Sequence, residues 1–283
     1  LGIKGTNALS PNTGPIYMQG NLSLMMDDAG TVDLGTEVEL YNASSSQWTT
    51  FYTVTVGNDQ GPTTGSTIDL GKVDLVTQAP GQASLHLDVN GTDGYKLQVG
   101  DVDLNVVIAN TGTYRAQGLR ANSAPITIDG TVKQVNGNAG NTLANWLYLG
   151  GTLTTATNTV TGLIKDADDY DDSSNSNATP LIVNINGAGG SDDSLWAFAS
   201  SNSYSGGTLI RSGVLYANAA GALGDGDVTV THTDGDLVIN ASNAMDSAAT
   251  LTLPSATVEN FELNVDMTIG SLTLPAVSIS FVL

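Results

Sequence analysis

The sequence predicts an all-β protein, and three observations support this fold class. Apolar and polar residues alternate with a period of two along most of the 283 residues, as in strands with one buried side. Charged residues make up only 13 % of the chain, so the Glu, Lys and Arg that cover helix surfaces are scarce. Gly, Ser, Thr, Asn and Asp take their place, which favours short strands joined by tight turns. The best helical candidate is a single turn at residues 217–222.

Strand length divides the predicted chain into two parts. Alternating runs such as 48–57, 66–77 and 95–112 are long and are joined by polar connections, so we expect a β-sandwich-like domain over residues 1–120. The runs that follow are shorter and lie between Gly or Asn turns. Short strands at a near-regular interval are typical of a solenoid, in which each coil buries its apolar side on the next. We therefore expect a β-solenoid over residues 121–283.

The charge balance limits the partners of this protein. The chain has eight Lys and Arg residues and 28 Asp and Glu residues, which gives a net charge of −20. Nucleic acid is not an expected partner because phosphates need a basic surface, and cations are the natural partners instead. The chain has no cysteine, which excludes disulfides, thiolate catalysis and zinc–sulfur sites. No apolar run approaches the roughly 18 residues of a membrane span, so we expect no membrane span. The acidic, lysine-poor surface offers trypsin-like proteases few cleavage sites, which favours a location outside the cell or on its surface.

Residues 195–231 carry the most distinctive pattern of the chain, "LWAFASSNSYSGGTLIRSGVLYANAAGALGDGDVTVT". This segment resembles the autotransporter-associated β-strand repeat, in which an aromatic strand is followed by a Gly-Gly-Thr turn, a Gly-x-Leu strand, Ala-Leu-Gly and a further strand. The resemblance implies a right-handed β-helix in secreted or surface-displayed proteins, and it implies no catalytic residue. The matching residues are Trp196, Phe198, Asn202, Tyr204, Gly206, Gly207, Thr208, Gly213, Leu215, Ala222, Leu223, Gly224, Gly226, Val228 and Val230.

An acidic run in the second part predicts a calcium site. Clusters of carboxylates are where Ca²⁺ binds, with roughly six to eight oxygen ligands. The alternative is a solvated acidic loop without a metal. The next coil could add Asp192 and Asp193 to the site. The run contributes five carboxylates, those of Asp166, Asp168, Asp169, Asp171 and Asp172.

The chain has two histidines, His86 and His232. Neither has a nucleophile motif near it in the sequence. His86 is expected on the solvent side of its strand, because Leu85 and Leu87 share the other side. Paired carboxylates could act as the acid and base of a glycosidase. Arg211 is, however, the only cation near the repeat, so little would stabilise a negative transition state. We therefore expect no catalytic residue and no enzyme.

Tryptophans are the candidates for stacking against sugar rings. Trp48 follows the polar stretch "SSSQ" and is the best candidate for an exposed ligand-binding aromatic. Trp146 and Trp196 are expected to pack in the core or between coils instead.

The end of the sequence predicts a contact with another copy of the chain. The stretch "LPAVSISFVL" places four apolar side chains on one face of a strand. An open apolar edge at the end of a solenoid invites pairing, so this face is expected either in the chain's own core or against another subunit. The four residues are Val277, Ile279, Phe281 and Leu283.

These features lead to three functional hypotheses. The first is an extracellular structural protein, a self-assembling subunit of a cell-surface layer or filament, with Ca²⁺ bridging acidic loops. The second is a carbohydrate-binding adhesin module, which requires exposed aromatics in a groove. The third and least favoured is a polysaccharide-degrading β-helix, which requires carboxylates that converge in a cleft. The expected partner is the chain itself, as a homopolymer, with glycans as the alternative.

Overall fold

The computed structural model consists of strands and turns, and no helix occurs among the residues it describes. It follows that this part of the chain holds no helix able to cross a membrane. The described residues are 2–4, 14–26, 31–35, 37–42, 49–58, 66–77, 84–92, 94–106, 115–135, 145–167, 180–186, 192–253 and 261–273. Their strands, in chain order, are β1 (Gly2–Lys4), β2 (Ile16–Met18), β3 (Leu22–Met26), β4 (Thr31–Asp33), β5 (Glu37–Asn42), β6 (Thr49–Asn58), β7 (Thr67–Asp69), β8 (Lys72–Thr77), β9 (Ser84–Gly91), β10 (Lys96–Val99), β11 (Asp101–Val106), β12 (Arg115–Ala121), β13 (Ile126–Ile128), β14 (Val132–Val135), β15 (Asn145–Gly150), β16 (Thr157–Val160), β17 (Ile164–Lys165), β18 (Leu181–Ile185), β19 (Leu195–Phe198), β20 (Thr208–Ile210), β21 (Gly213–Ala217), β22 (Val228–Val230), β23 (Gly235–Ile239), β24 (Thr250–Thr252), β25 (Phe261–Leu263) and β26 (Ser271–Thr273).

These strands form three parallel sheets. The long sheet has 11 strands in the order β1-β3-β6-β9-β12-β15-β18-β20-β22-β24-β26. The second sheet has nine strands, β4-β7-β10-β13-β16-β19-β21-β23-β25, and the short sheet has six, β2-β5-β8-β11-β14-β17. The chain visits the sheets in turn: β3, β4 and β5 lie in the long, second and short sheet, and β6, β7 and β8 repeat that order. This is a β-solenoid, so the all-β class and the solenoid are confirmed. The right-handed winding implied by the family resemblance stays a prediction.

The sandwich-like arrangement expected for residues 1–120 is not confirmed. A β-sandwich packs two antiparallel sheets, whereas β3, β6, β9 and β12 pair with one another in parallel and belong to the long sheet. The long sheet continues through β12 into β15 without a change of pairing. The expectation rested on strand length, and the ten residues of β6 are indeed the longest strand described. Length alone does not distinguish a long strand of a solenoid coil from a sandwich strand.

Glycines at one corner allow successive coils to stack backbone on backbone. Two of the predicted long strands break at this corner, so that β7 is followed by β8 and β10 by β11. Gly71, Gly100, Gly130 and Gly162 occupy it in four successive coils. A Cβ atom at Gly100 would lie 1.9 Å from the carbonyl oxygen of Gly71, and one at Gly162 would lie 1.7 Å from that of Gly130. Only glycine permits this approach.

One continuous core of apolar side chains runs inside the coils from Met18 to Leu253. Full burial of a Leu, Ile or Val side chain stabilises the fold by about 1.5–3 kcal/mol, so this core is the main source of stability. Inward side chains stack in register from one coil to the next. One such row of the long sheet consists of Leu85, Gln117, Leu147 and Val183.

Gln117 is the polar member of this buried row, and its amide is hydrogen-bonded. Nε2 donates to Thr77 Oγ1 at 3.2 Å and to the carbonyl oxygen of Asn105 at 3.1 Å. Both acceptors lie on the short sheet. The Gln117 side chain therefore links the long and short sheets across the inside of the solenoid, and its amide N–H groups are hydrogen-bonded.

The cross-section of the solenoid narrows after β17, where the short sheet ends. Stacked residues Asn21 and Thr53 are 32 positions apart in an early coil, whereas Asn202 and Ala222 are 20 apart in a late one. Among the described residues, the later coils contain strands of the long and second sheets only, and the described segments that close these coils contain turns. The helical turn predicted at 217–222 falls in one of these closing segments and is not helical.

Replacing Gly162 by Ala is expected to destabilise the protein by about 1–3 kcal/mol, because the added methyl group overlaps backbone atoms that cannot move aside. The measurement is the free energy of unfolding in urea. Gly14→Ala is the matched control, since a Cβ atom at Gly14 has no neighbour within 4 Å. Equal stabilities of the two variants would contradict the corner packing.

Candidate functional site

Outward side chains of the long sheet form a row of aromatic rings. Five positions from β6, β9, β12, β15 and β18 lie in register: Phe51, His86, Gly118, Tyr148 and Asn184. The rings of Phe51 and His86 stack with their centroids 5.3 Å apart, and Tyr148 meets His86 edge-on at 4.9 Å. Tyr148 reaches past Gly118 because that position has no side chain. A Cβ atom at Gly118 would lie only 2.8 Å from the Cβ of Tyr148.

Arg120 lies in the neighbouring outward row and joins two carboxylates. Its Nη1 binds Asp88 Oδ1 at 3.1 Å, and its Nη2 binds Asp192 Oδ1 at 2.9 Å. Asp192 also accepts a hydrogen bond from the phenol of Tyr148. The guanidinium carbon of Arg120 lies 5.0 Å from the centre of the Phe51 ring, within the range of a cation–π interaction. Two contacts thus connect the charged residues to the aromatic row: Arg120 lies over Phe51, and Asp192 binds Tyr148.

His86 is almost fully buried, although it lies on the outer side of its sheet. Its side chain is packed between Phe51 and Tyr148, and the residue is only 6 % exposed. The outward direction predicted from the alternation is correct, but the expected exposure to solvent is wrong. Burial, and then the positive charge of Arg120, lower the pKa of His86 from 6.5 to about 3, and Asp192 opposes the shift only in part. The ring is therefore neutral near pH 7.

The hydroxyl and carboxyl groups of the site are also affected by burial. Burial and the hydrogen bond to Asp192 raise the pKa of Tyr148, so its phenol remains protonated and donates. Burial raises the pKa of Asp88 as well, although Arg120 acts in the opposite direction. Among the described residues, Nδ1 of His86 is buried without a hydrogen-bond partner. Ring stacking rather than hydrogen bonding at Nδ1 therefore holds this imidazole.

The geometry favours holding a ring in place over acid–base catalysis. A glycosidase places two carboxylates on either side of a scissile bond. Here the carboxylates of Asp88 and Asp192 contact one and the same guanidinium, and the Asp192 side chain is only 9 % exposed. We call these six residues the long-sheet cluster: Phe51, His86, Asp88, Arg120, Tyr148 and Asp192. Phe51 is the most exposed of them, at 49 %.

Asp166 joins three chain segments at the point where the short sheet ends. Its Oδ1 accepts a hydrogen bond from the backbone N–H of Leu181 at 2.7 Å. Its Oδ2 accepts from the backbone N–H and the hydroxyl of Ser205 at 3.1 and 2.7 Å. The residue is buried. Both oxygens of this member of the predicted calcium site thus serve a structural link.

The repeat-like residues of the late coils have structural roles as well. Asn202 accepts a hydrogen bond from the backbone N–H of Ile164 at 2.7 Å and donates to the carbonyl oxygen of Ala222 at 2.6 Å. It therefore connects the last strand of the short sheet to a turn two coils further on. The hydroxyls of Tyr204 and Thr208 are 2.6 Å apart inside the core. These hydrogen bonds explain why Asn202, Tyr204 and Thr208 are needed at these positions of the solenoid. They do not assign the pattern to a family.

Two of the three tryptophans lie in the described residues. Trp196 is fully buried, as predicted, and its Nε1 donates to Ser194 Oγ at 3.0 Å. Trp146 is partly buried on the outer side of the long sheet, with the guanidinium of Arg211 5.4 Å from its ring centre.

The structure brings together only some of the residues singled out by sequence. Asp192 binds Arg120, and within the part of the chain that the structure describes it makes no hydrogen bond with Asp166; Asp193 is exposed. Within the described ranges, no group of three or more acidic or histidine side chains is arranged to hold a metal ion, and Ca²⁺ stays a prediction. The remaining predicted site residues lie outside the described residues: Trp48, Asp168, Asp169, Asp171, Asp172, Val277, Ile279, Phe281 and Leu283.

Comparison of the chain with models of known protein families, with curated proteins and with solved structures found no match. The resemblance to the autotransporter-associated repeat therefore remains an interpretation of residues 195–231.

Sequence reasoning missed three of the residues that form the long-sheet cluster: Phe51, Arg120 and Tyr148. A signal for the first was present, because Val54 and Val56 face the core and the alternation places Phe51 on the opposite, polar side with Thr53. No local pattern reveals Arg120, because its partner Asp192 is 72 residues away.

Replacing Asp166 by Ala is expected to leave the N–H groups of Leu181 and Ser205 without their acceptor, at a cost of about 1–3 kcal/mol for a buried donor. The measurement is unfolding in urea, once with Ca²⁺ and once with EDTA. Asp193→Ala removes the same charge from an exposed position and is the control. A loss of stability that appears only in the presence of Ca²⁺ would show a metal ligand instead of a structural link.

Replacing His86 by Phe is expected to reduce the acid sensitivity of the protein. Because the pKa in the folded state is lowered, the stability contributed by neutral His86 is fully present above pH 6.5 and is lost as the pH falls through about 3. One proton changes the free energy of unfolding by at most about 1.4 kcal/mol per pH unit in that window. The variant keeps the stacked ring but removes this contribution.

The free energy of unfolding of both proteins is measured from pH 7 to pH 3. His232→Gln, at an exposed histidine, is the control. An unchanged pH slope in His86→Phe would disprove a buried neutral imidazole.

Proposed function

We propose that this chain is a structural protein of the cell surface or the extracellular space, a rigid β-solenoid that assembles into a layer or filament. The observation that supports the proposal most is the continuity of the long sheet, whose 11 strands run through every coil described. Such a stack transmits force along its length through backbone hydrogen bonds and a continuous core.

Four buried or half-buried polar side chains support the same proposal, because they connect coils or sheets to one another. Arg120 binds carboxylates from two other segments, Asp166 and Asn202 bridge the end of the short sheet, and Gln117 bridges two sheets. Buried polar groups that are fully partnered stiffen a structure and define a single arrangement. A scaffold needs both properties.

The strongly acidic composition favours dependence of the assembly on cations. A net charge of −20 keeps separate copies soluble and makes their surfaces repel. Attraction between copies then requires either a complementary contact or neutralisation by cations. This is the physical basis for retaining Ca²⁺ as a proposed partner.

The last coil described offers a contact for self-association. Leu263 and Leu272 occupy inward positions of β25 and β26, in register with the fully buried Ile239 and the buried Leu251. They are 37 % and 39 % exposed because no described coil stacks on them. Apolar ends and strand edges of this kind pair with other β-structure. We propose that copies of the chain stack through this end.

The test is sedimentation velocity with negative-stain imaging of the chain, in Ca²⁺ and then after EDTA. We expect ordered assemblies, and we expect Leu272→Glu to weaken association by about tenfold or more, which corresponds to about 1.4 kcal/mol. Leu163→Glu is the matched control, because Leu163 is exposed to a similar extent but lies at the glycine corner on the side of the solenoid.

Three outcomes decide the proposal. Assemblies that dissolve in EDTA support it with calcium, and assemblies that survive EDTA support it without calcium. A monomer at all concentrations and in both conditions would overturn it.

A further inference from the structure

We propose that Phe51 and the polar groups beside it bind a neutral sugar ring on the outer face of the long sheet. The inference goes beyond the scaffold function and does not depend on it. It assigns to Phe51 a ligand-binding role of the kind first considered for Trp48.

Phe51 is exposed, yet it is held in place by a dense set of contacts. The ring stacks on His86 with the centroids 5.3 Å apart, and the Arg120 guanidinium lies 5.0 Å from its centre. Arg120 is itself fixed by Asp88 and Asp192. Nearly half of the phenylalanine surface remains open to solvent. The result is a rigid apolar ring presented on an otherwise polar surface.

Comparison with another exposed aromatic shows that exposure alone does not produce this support. Tyr17 is 68 % exposed, but it has no stacked ring and no cation over its ring among the described residues. A ring that is already ordered loses little conformational entropy when a ligand binds. The supporting layer beneath Phe51 is therefore what distinguishes it as a binding surface.

The groups around the ring match the two sides of a sugar. A pyranose has an apolar C–H face, which can stack on Phe51, and a rim of hydroxyls that both donate and accept hydrogen bonds. The next outward row of the sheet provides the Thr53 hydroxyl, the Asp88 carboxylate and the Arg120 guanidinium in register. Beyond Thr53 in the same row is Asn21, whose Oδ1 accepts from the Thr53 backbone N–H at 3.1 Å.

The charges around the ring indicate a neutral ligand. Two carboxylates accompany the single Arg120, and the whole chain carries −20, so an anionic sugar is repelled. Two groups that contact the Phe51 ring, His86 on β9 and Arg120 on β12, both come from the same side of β6 in the order of the sheet.

The test is native affinity electrophoresis of the full chain in gels that contain a soluble neutral polysaccharide. The probes are a β-glucan, a galactomannan and an arabinoxylan, with polygalacturonate as the anionic comparison. We expect at least one neutral polymer to retard the protein, and we expect Phe51→Ala to reduce its affinity about tenfold or more through the loss of stacking. Phe51→Trp should retain binding, and Tyr17→Ala should not affect it.

Thermal unfolding of each variant shows whether it has folded. A folded Phe51→Ala protein that binds as well as the original chain would overturn the site. Failure of every neutral polymer to retard the original chain, or retardation by polygalacturonate alone, would overturn the ligand class. None of these results bears on self-association, so the scaffold proposal stands or falls separately.

Discussion

Parallel hydrogen bonding between equivalent strands of successive coils is the interaction on which the rest of this structure depends. It holds neighbouring strands about 4.8 Å apart and brings each residue beside its counterpart in the next coil. At Gly100, Gly130 and Gly162 of the glycine corner the backbones approach so closely that no side chain fits. On the faces of the sheets the same spacing sets rings and carboxylates into rows. The long-sheet cluster is one result of this geometry.

In-register stacking stabilises some rows and destabilises others. Asn218, Asn240 and Asn264 follow strands of the second sheet. Asn240 donates to Asn218 and Asn264 donates to Asn240, both at 2.8 Å, since an amide is both donor and acceptor. A row of carboxylates cannot pair in this way. On the short sheet Asp74 lies between Glu39 and Asp103. Burial, with the charges of Asp103 and Glu39, raises the pKa of Asp74 to about 6, although Lys72 acts in the opposite direction. Lys72 relieves that row by binding Asp103 at 2.9 Å. An acidic solenoid therefore needs its few cations at specific positions.

The alternation of apolar and polar residues was sufficient to predict strands and their inward faces, because those depend on local periodicity. The regular spacing of short strands between Gly or Asn turns added the prediction of a solenoid, but only for residues 121–283. The alternation could not predict parallel pairing before residue 120, since parallel and antiparallel strands share a period of two. It placed His86 on the correct side but misjudged its burial, because Tyr148 covers it from two strands away across Gly118. The pairing of Arg120 with Asp192 depends on how the coils stack, and no local pattern encodes it.

Rigidity connects the scaffold to the proposed sugar site. The residues that hold Phe51 come from separate coils, with His86 on β9, Arg120 on β12 and Tyr148 on β15. Their relative positions are fixed only while those coils remain stacked. A scaffold that resists deformation therefore also keeps the ring in the orientation that binds, without the entropy loss of ordering a loop. In a protein of this shape, mechanical stiffness and a preorganised binding surface come from the same hydrogen bonds between coils.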